Sequence, residues 1–263
     1  MNENTSPNKA PASAAERSPH QLKVGGVTPF TATDYPGALA AVVFVQGCPW
    51  HCGYCHNPHL RPRLSNTVRE WDDVLRFLRS RVGLIDAVVF SGGEPTIDPA
   101  LMNAVADVRA LGFKVGLHTA CIYPQRLATL LPVLDWVGFD VKAPFAHYRK
   151  VTGIADSGRQ VRACIEAILA SGIRYECRTT IHPALLDESD LLALAHTLAE
   201  IGVRRYVLQQ YRAQGCNHGE NDGLNNGLNN GLDAGIVPGY PAEQTVQQIA
   251  ALFDDFSFRR DYK

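Results

Sequence analysis

The sequence predicts an α/β fold built on a largely parallel sheet, and three observations carry that prediction. From residue 41 onward, short β-branched apolar runs alternate six times with longer stretches of helical period, the pattern of successive βαβ units. The helical stretches carry their own start and stop signals. Polar and sulfur-bearing residues collect just after the apolar runs, where ligands bind in both doubly wound sheets and α/β barrels.

The strand candidates, in order, are 41–46 (AVVFVQ), 86–90 (DAVVF), 114–119 (KVGLHT), 136–142 (WVGFDVK), 175–181 (YECRTTI) and 205–211 (RYVLQQY). Helices are expected near 67–81, 98–111, 124–131, 158–171 and 187–201. Asp187 precedes leucines at helical spacing, and Gly202 after them suits a left-handed cap, as do Gly112 and Gly172 in their places. A last helix, around 242–256, is expected to pack outside the sheet. Six strands with right-handed crossovers form either an open doubly wound sheet or a partial barrel, and periodicity does not choose between them.

A chain of 263 residues is long enough for one large core, and a single domain over 23–263 is expected. Residues 1–22 are rich in Pro, Ser, Asn and Ala without an apolar stretch of signal-peptide length, the composition of a disordered tail. Lys and Arg number 25 against 26 Asp and Glu, a net charge of -1, so no basic excess points to nucleic acid or an anionic membrane. No run of eighteen apolar residues suggests a membrane span. Seven cysteines, four of them (Cys121, Cys164, Cys177, Cys216) far apart, read as a reduced, cytoplasmic protein. At about 217–237 the chain becomes an imperfect Gly-Leu-Asn-Asn repeat. A calcium-binding glycine/aspartate repeat needs more acidic positions and more copies, so this is read as a surface loop.

The stretch VQGCPWHCGYCHNPHL, residues 45–60, places Cys48, Cys52 and Cys55 beside three histidines. Four chemistries use such residues. Cys52 to His56 fits the c-type haem pattern C-x-x-C-H, but haem attachment belongs to exported chains, and Met1 and Met102 are the only methionines to serve as a sixth ligand. A structural zinc site would add one of His51, His56 or His59 to the three thiolates, because tetrahedral closure takes four ligands. A dithiol redox pair, Cys52 and Cys55, has no use for a third sulfur. An iron–sulfur cube takes one terminal ligand per iron, so three thiolates leave one iron open to a small chelating molecule.

The spacing C-x3-C-x2-C, with Tyr54 just before the last cysteine, resembles the signature of the radical S-adenosylmethionine (radical SAM) enzymes. That signature follows a first β-strand and is joined by a glycine-glycine-acid motif after the second, here AVVFVQ and SGGEPT. The resemblance covers roughly residues 24 to 212 and implies a partial (β/α)6, TIM-like barrel with a [4Fe-4S] cluster on Cys48, Cys52 and Cys55. It implies S-adenosylmethionine as cofactor, with Gly92, Gly93 and Glu94 orienting the methionyl amine. A 5'-deoxyadenosyl radical would then abstract a hydrogen atom, with no acid/base residue required.

Asp140 and Lys142 flank Val141 on a strand candidate, so their side chains face one way. Buried charges of opposite sign need partners, which a zwitterionic ligand supplies, or they pair with each other. The DVK stretch resembles the glycyl-radical activases. There, by resemblance, Lys142 meets the cofactor carboxylate, Asp140 lies near the ribose or a monovalent cation, Thr119 can join the cation and Tyr54 lies near the adenine. Arg178, Thr180 and His182 share one face of their strand and are placed to contact cofactor or substrate, or to serve as structural polar groups. Where some activases have Pro-Tyr-His, this chain reads Gln210-Tyr211-Arg212, which leaves Arg212 without a carried-over role.

The flanks narrow the resemblance. Asp34-Tyr35-Pro36-Gly37 leading into the first strand and Cys55-His56-Asn57-Pro58 closing the loop resemble the activating proteins of anaerobic ribonucleoside-triphosphate reductase. The implied substrate is a glycyl radical enzyme. With no second cysteine cluster in the chain, the electron is expected from an external donor such as flavodoxin. Two other readings use the same residues: a radical synthase acting on a small pterin-like metabolite, and a zinc-stabilised, non-enzymatic interaction domain.

Overall fold

The structure, a computed structural model, describes residues 21–64, 68–212 and 237–260. The expected tail, apart from Gln21 and Leu22, and the Gly-Leu-Asn-Asn loop, apart from Val237, lie outside the described residues, as does Cys216. Leu22 is not part of a tail: it is 1% exposed in the main core, and the next residue's amide, Lys23 N, donates to the Asp98 carboxylate at 2.9 Å.

Eight strands form one sheet in sequence order: β1 (Val24–Thr31), β2 (Ala40–Val45), β3 (Ala87–Gly92), β4 (Lys114–Thr119), β5 (Trp136–Asp140), β6 (Tyr175–Ile181), β7 (Arg205–Gln210) and β8 (Asp255–Arg259). β1 runs antiparallel to β2 and every later neighbour is parallel. The six strands expected from periodicity are β2 to β7, and together with their helices they make the partial (β/α)6 barrel. Among the described residues the sheet order is linear, so β1 and β8 are its two ends.

The connecting helices are α1 (Trp71–Arg79), α2 (Leu101–Ala110), α3 (Pro124–Leu130), the short α4 (Tyr148–Thr152), α5 (Ser157–Ser171) and α6 (Glu188–Ile201), with α7 (Glu243–Ala250) before β8. The Asp187 side chain accepts from the Asp190 amide at 2.8 Å and caps α6, and Gly202 ends that helix at φ 104°, where a side chain would be strained.

Three expectations are corrected. The last helix does not run over 242–256; α7 stops at Ala250 and Asp255–Arg259 becomes β8, paired with β7. Phe253 and Phe256 pack on the Tyr206 ring, and alternation in DFSFR fits a strand better than a helix. β1 lay outside the strand candidates because Gly25, Gly26 and Pro29 dilute its pattern; an antiparallel edge accommodates a proline that a central strand would not. The WVGFDVK candidate also ends earlier, at Asp140.

Apolar side chains form two separate clusters. The larger lies between the helices and the outer face of the sheet, where Val43, Val88, Val115 and Val137 are fully buried. The smaller comprises Tyr35, Ala40, Val42, Ala87, Val89 and Trp136. Ala40, Val42, Ala87 and Val89 alternate with outer-face residues at the N-terminal ends of β2 and β3, so this cluster fills the barrel floor. The C-terminal strand ends are thereby left for polar chemistry. Phe90, fully buried on β3, lies 6.1 Å from Trp71 of α1. Phe90→Ala should cost about 3–5 kcal/mol, read as a lower urea midpoint with an unchanged slope.

Candidate cofactor site

The cysteine loop leaves β2 and is held at both ends by backbone hydrogen bonds. Gly47 N donates to Leu60 O at 2.7 Å and Cys48 N to Arg61 O at 3.0 Å, while His51 N donates to Thr152 O at 3.0 Å. Pro58 opens a single 3-10 turn, Pro58–Leu60, that closes the loop. The three sulfurs are free, half-buried and on the wall of one cleft.

The second wall is β3's end, and it explains the glycine pair. A Cβ on Gly92 would sit 2.5 Å from Val45 N, and one on Gly93 would sit 2.4 Å from Gly47 O. Gly92 also has φ 116°. Gly93 N donates to Val45 O at 3.0 Å and Glu94 N to Gly47 O at 2.8 Å, so the cysteine loop lies directly against this backbone.

Glu94 does not face the cleft as an open acceptor. Its carboxylate is fully buried and accepts from Thr96 N, Thr96 Oγ1, Thr119 Oγ1 and Ala120 N at 2.6 to 3.1 Å. Burial pushes its pKa up, against the pull of those donors. Glu94 thus ties β3 to β4, and Thr119, expected near a cation, spends its hydroxyl proton on Glu94.

The third wall carries charge. Asp140 Oδ1 accepts from Arg178 Nε at 3.0 Å, and Asp140 Oδ2 lies 3.6 Å from Lys142 Nζ. Lys142 Nζ also donates to the Tyr54 hydroxyl at 3.4 Å and sits 5.1 Å from that ring's centroid. Burial alone would raise the Asp140 carboxyl, but Arg178 and then Lys142 outweigh it and hold it below the usual carboxylate range. Burial pulls Lys142 down, yet its anion-forming neighbours, among them the ionised Asp140 carboxylate, more than offset that and hold it above the usual lysine value.

The cleft therefore gathers Cys48, Cys52, Cys55, Tyr54, Gly92, Gly93, Thr119, Asp140, Lys142, Arg178 and Arg212. Trp50, Ser91, His118, Gln209 and Gln210 line it too. Ser91 opens the SGGEPT motif without a role assigned to it, and Gln209 had no motif to mark it; strand alternation relative to Leu208 was the available signal. His182 is not on this wall: it packs edge-on against Tyr211 and accepts from Ala184 N. His51 meets the Arg61 guanidinium and His56 meets the Arg212 carbonyl, while His59 is exposed, so none of the three histidines completes a four-ligand zinc set. Among the described residues no three His, Cys, Asp or Glu side chains close on one ion. A cube takes one thiolate at each of three separate corners and does not ask the sulfurs to converge.

Burial and then the Cys52 sulfur push the Cys48 thiol up to about 12. Burial likewise raises Cys52, against the pull of Lys142. These thiols hold their protons until a metal displaces them. The donor set fits a cluster with one open corner: three sulfurs on one wall, a backbone with no side chain on the second, and paired opposite charges on the third.

The description of the radical SAM superfamily matches residues 42–198, and the chain belongs to that superfamily. It is accordingly a radical SAM enzyme, an oxidoreductase. It is 31% identical over 197 residues to a protein of Methanocaldococcus jannaschii assigned as a glycyl-radical enzyme activating enzyme, covering 72% of this chain and 79% of that one. It is 28% identical over 213 residues to the pyruvate formate-lyase-activating enzyme of Streptococcus mutans, covering 73% and 78%. In fold it resembles Streptococcus suis SuiB bound to S-adenosylmethionine, with a TM-score of 0.55 and 15% identity over 82% of this chain and 48% of SuiB. The chain spans about half the length of SuiB. Among the described residues no helix is long and apolar enough to cross a membrane.

Two outcomes test this geometry. Gly93→Ala should cost about 1–3 kcal/mol and lower the iron bound after reconstitution, because the added methyl displaces Gly47 and Cys48. The Asp140 contribution to stability is present above the ordinary aspartate range and is lost as the pH falls through its depressed folded value. Asp140→Asn should therefore lower the urea midpoint of the metal-free protein at pH 7, and the gap should close below about pH 4.

Proposed function

We propose that this enzyme is an activase for a glycyl radical enzyme, and that its partner is an anaerobic ribonucleoside-triphosphate reductase. In this reading residues 23–263 are one radical SAM domain, Cys48, Cys52 and Cys55 hold a [4Fe-4S] cluster, and S-adenosylmethionine lies in the cleft beside them. The observation that carries it is the placement of three free sulfurs opposite the Asp140–Lys142–Arg178 charge set on one cleft. When bound, the cluster and S-adenosylmethionine together supply one-electron chemistry for hydrogen-atom abstraction.

The chain's own residues bind and orient. Lys142 offers an ammonium to the cofactor carboxylate, and its contact with Tyr54 keeps that ammonium beside the cysteine loop. The side-chain-free Gly92–Gly93 backbone lets the methionyl end approach, with Glu94 fixing that backbone from behind. Asp140 faces the ribose or a monovalent cation, with Thr119 as a neighbour, and Arg178 holds the carboxylate in place. Tyr54 forms the wall toward the adenine. The electron comes from an external donor such as flavodoxin. Support for the activase assignment is the similarity to two activating enzymes over more than 70% of this chain. Support for the reductase as partner is the pair of sequence motifs Asp34–Gly37 and Cys55–Pro58.

After anaerobic reconstitution, Cys48→Ala, Cys52→Ala and Cys55→Ala should each abolish cleavage of S-adenosylmethionine, while Cys164→Ala, buried on α5 away from the cleft, should not. Lys142→Ala should raise the cofactor Kd. Mixing the reduced wild-type enzyme with the reductase should give a carbon-centred doublet by electron spin resonance. Cleavage that instead requires a pterin-like metabolite, with no doublet on the protein, would refute the activase reading.

A further inference from the structure

The Asp-Tyr-Pro-Gly segment precedes β2 and so enters the barrel from the N-terminal side, yet it is in contact with the cofactor wall. Tyr35 is 1% exposed and lies 5.5 Å from Trp136, ring to ring, on the floor of the barrel. One residue earlier, the Asp34 carbonyl is 3.0 Å from His118 Nε2. His118 Nε2 is in turn 3.3 Å from Arg178 Nη1, and the other side of that guanidinium, Nε, donates to Asp140. His118 Nε2 thus lies against both the lead-in segment and the charged wall of the cleft, with one of the two contacts a hydrogen bond in either tautomer.

The contact with Arg178 needs a gap in β5, and the sequence provides one. Arg178 is the register partner of Asp140, while His118, on β4, is the partner of Gly138, so the guanidinium must cross β5 to touch the imidazole. It crosses over Gly138, where a Cβ would stand 2.9 Å from Arg178 Nη1 and 2.6 Å from the Trp136 ring. Trp136 in turn holds the His118 ring edge-on at 5.4 Å between centroids. Burial, and then the nearby Arg178, lower the His118 pKa to about 3, so the ring is neutral and fills this gap without adding a charge. Its Nε2 either donates to the Asp34 carbonyl or accepts from Arg178. In both arrangements the imidazole is the spacer between the floor and the guanidinium.

We propose that His118, braced from below by the Asp34 carbonyl, is a positioning residue for the cofactor site: it sets the placement of Arg178 and, through it, of the Asp140 carboxylate that S-adenosylmethionine meets. The inference rests on the cofactor reading above and adds a role for His118, which lines the cleft, and for Gly138 and Asp34, which do not. His118 itself is not a catalytic residue; it acts through Arg178.

The test is equilibrium binding of S-adenosylmethionine to the reconstituted holoenzyme, with iron content and thermal midpoint measured on the same samples. His118→Leu keeps much of the volume and loses both polar functions. Its Kd should rise about tenfold, the scale of one hydrogen bond to a charged group, with iron content unchanged. His118→Gln restores a donor and an acceptor and should return the Kd to within about threefold of wild type. Gly138→Ala, which pushes on Arg178 from the other side, should weaken binding as His118→Leu does. Wild-type affinity in His118→Leu, or a His118→Gln variant as weak as the leucine variant, overturns the proposal. If His118→Leu fails to fold, the glutamine and Gly138 variants decide it: wild-type affinity in Gly138→Ala, or loss of binding in His118→Gln, overturns it. Wild-type holoenzyme that does not bind S-adenosylmethionine would instead refute the cofactor reading itself.

Discussion

The site depends on one buried carboxylate. Glu94 has no exposure to water and collects four donors from two places in the chain, Thr96 just after it and Thr119–Ala120 at the end of β4. Its own amide donates to Gly47 at the start of the cysteine loop. Three segments that are distant in sequence are thereby held around one group, and a buried acceptor of this kind is costly to leave unsatisfied. The same junction requires glycine at 92 and 93, because no side chain fits between the two backbones. Loop, strand ends and acid form a single unit, and the sulfurs are placed by it.

Charge on the opposite wall is arranged differently. Asp140 stands between Arg178 and Lys142, with a third of its side chain reachable by solvent. Glu94 is fully buried, whereas a third of the Asp140 side chain is exposed, although both are acids at strand ends.

Much of this was legible in the sequence, for physical reasons specific to each element. The structure has β4 and β6 at 114–119 and 175–181, as the alternation of their apolar residues predicts. The capping residues Asp187 and Gly202 marked α6 to within a residue. The edge strands were not legible. β1 carries two glycines and a proline, and β8 is only five residues long and follows α7 after a four-residue gap, so its alternation is easily absorbed into the helical pattern before it. In the site, residues in contiguous motifs were visible, but those recruited singly from strand faces, Gln209 and His118, needed three-dimensional register to be placed. Glu94 shows the limit from the other side: its motif was read correctly as a motif, while the direction of its side chain is set by Thr119, twenty-five residues on, which no local pattern encodes.

Tyr35 gives the barrel a stopper. Its ring closes the lower mouth with Trp136, Ala40 and Val42, and it arrives on a segment that a fragment designer would be tempted to discard as a floppy leader. Trimming the gene to begin at the first parallel strand would preserve every sulfur and every charged group of the cleft. It would also drain the vessel from beneath, admitting water to a chamber whose electrostatics depend on being dry on that side.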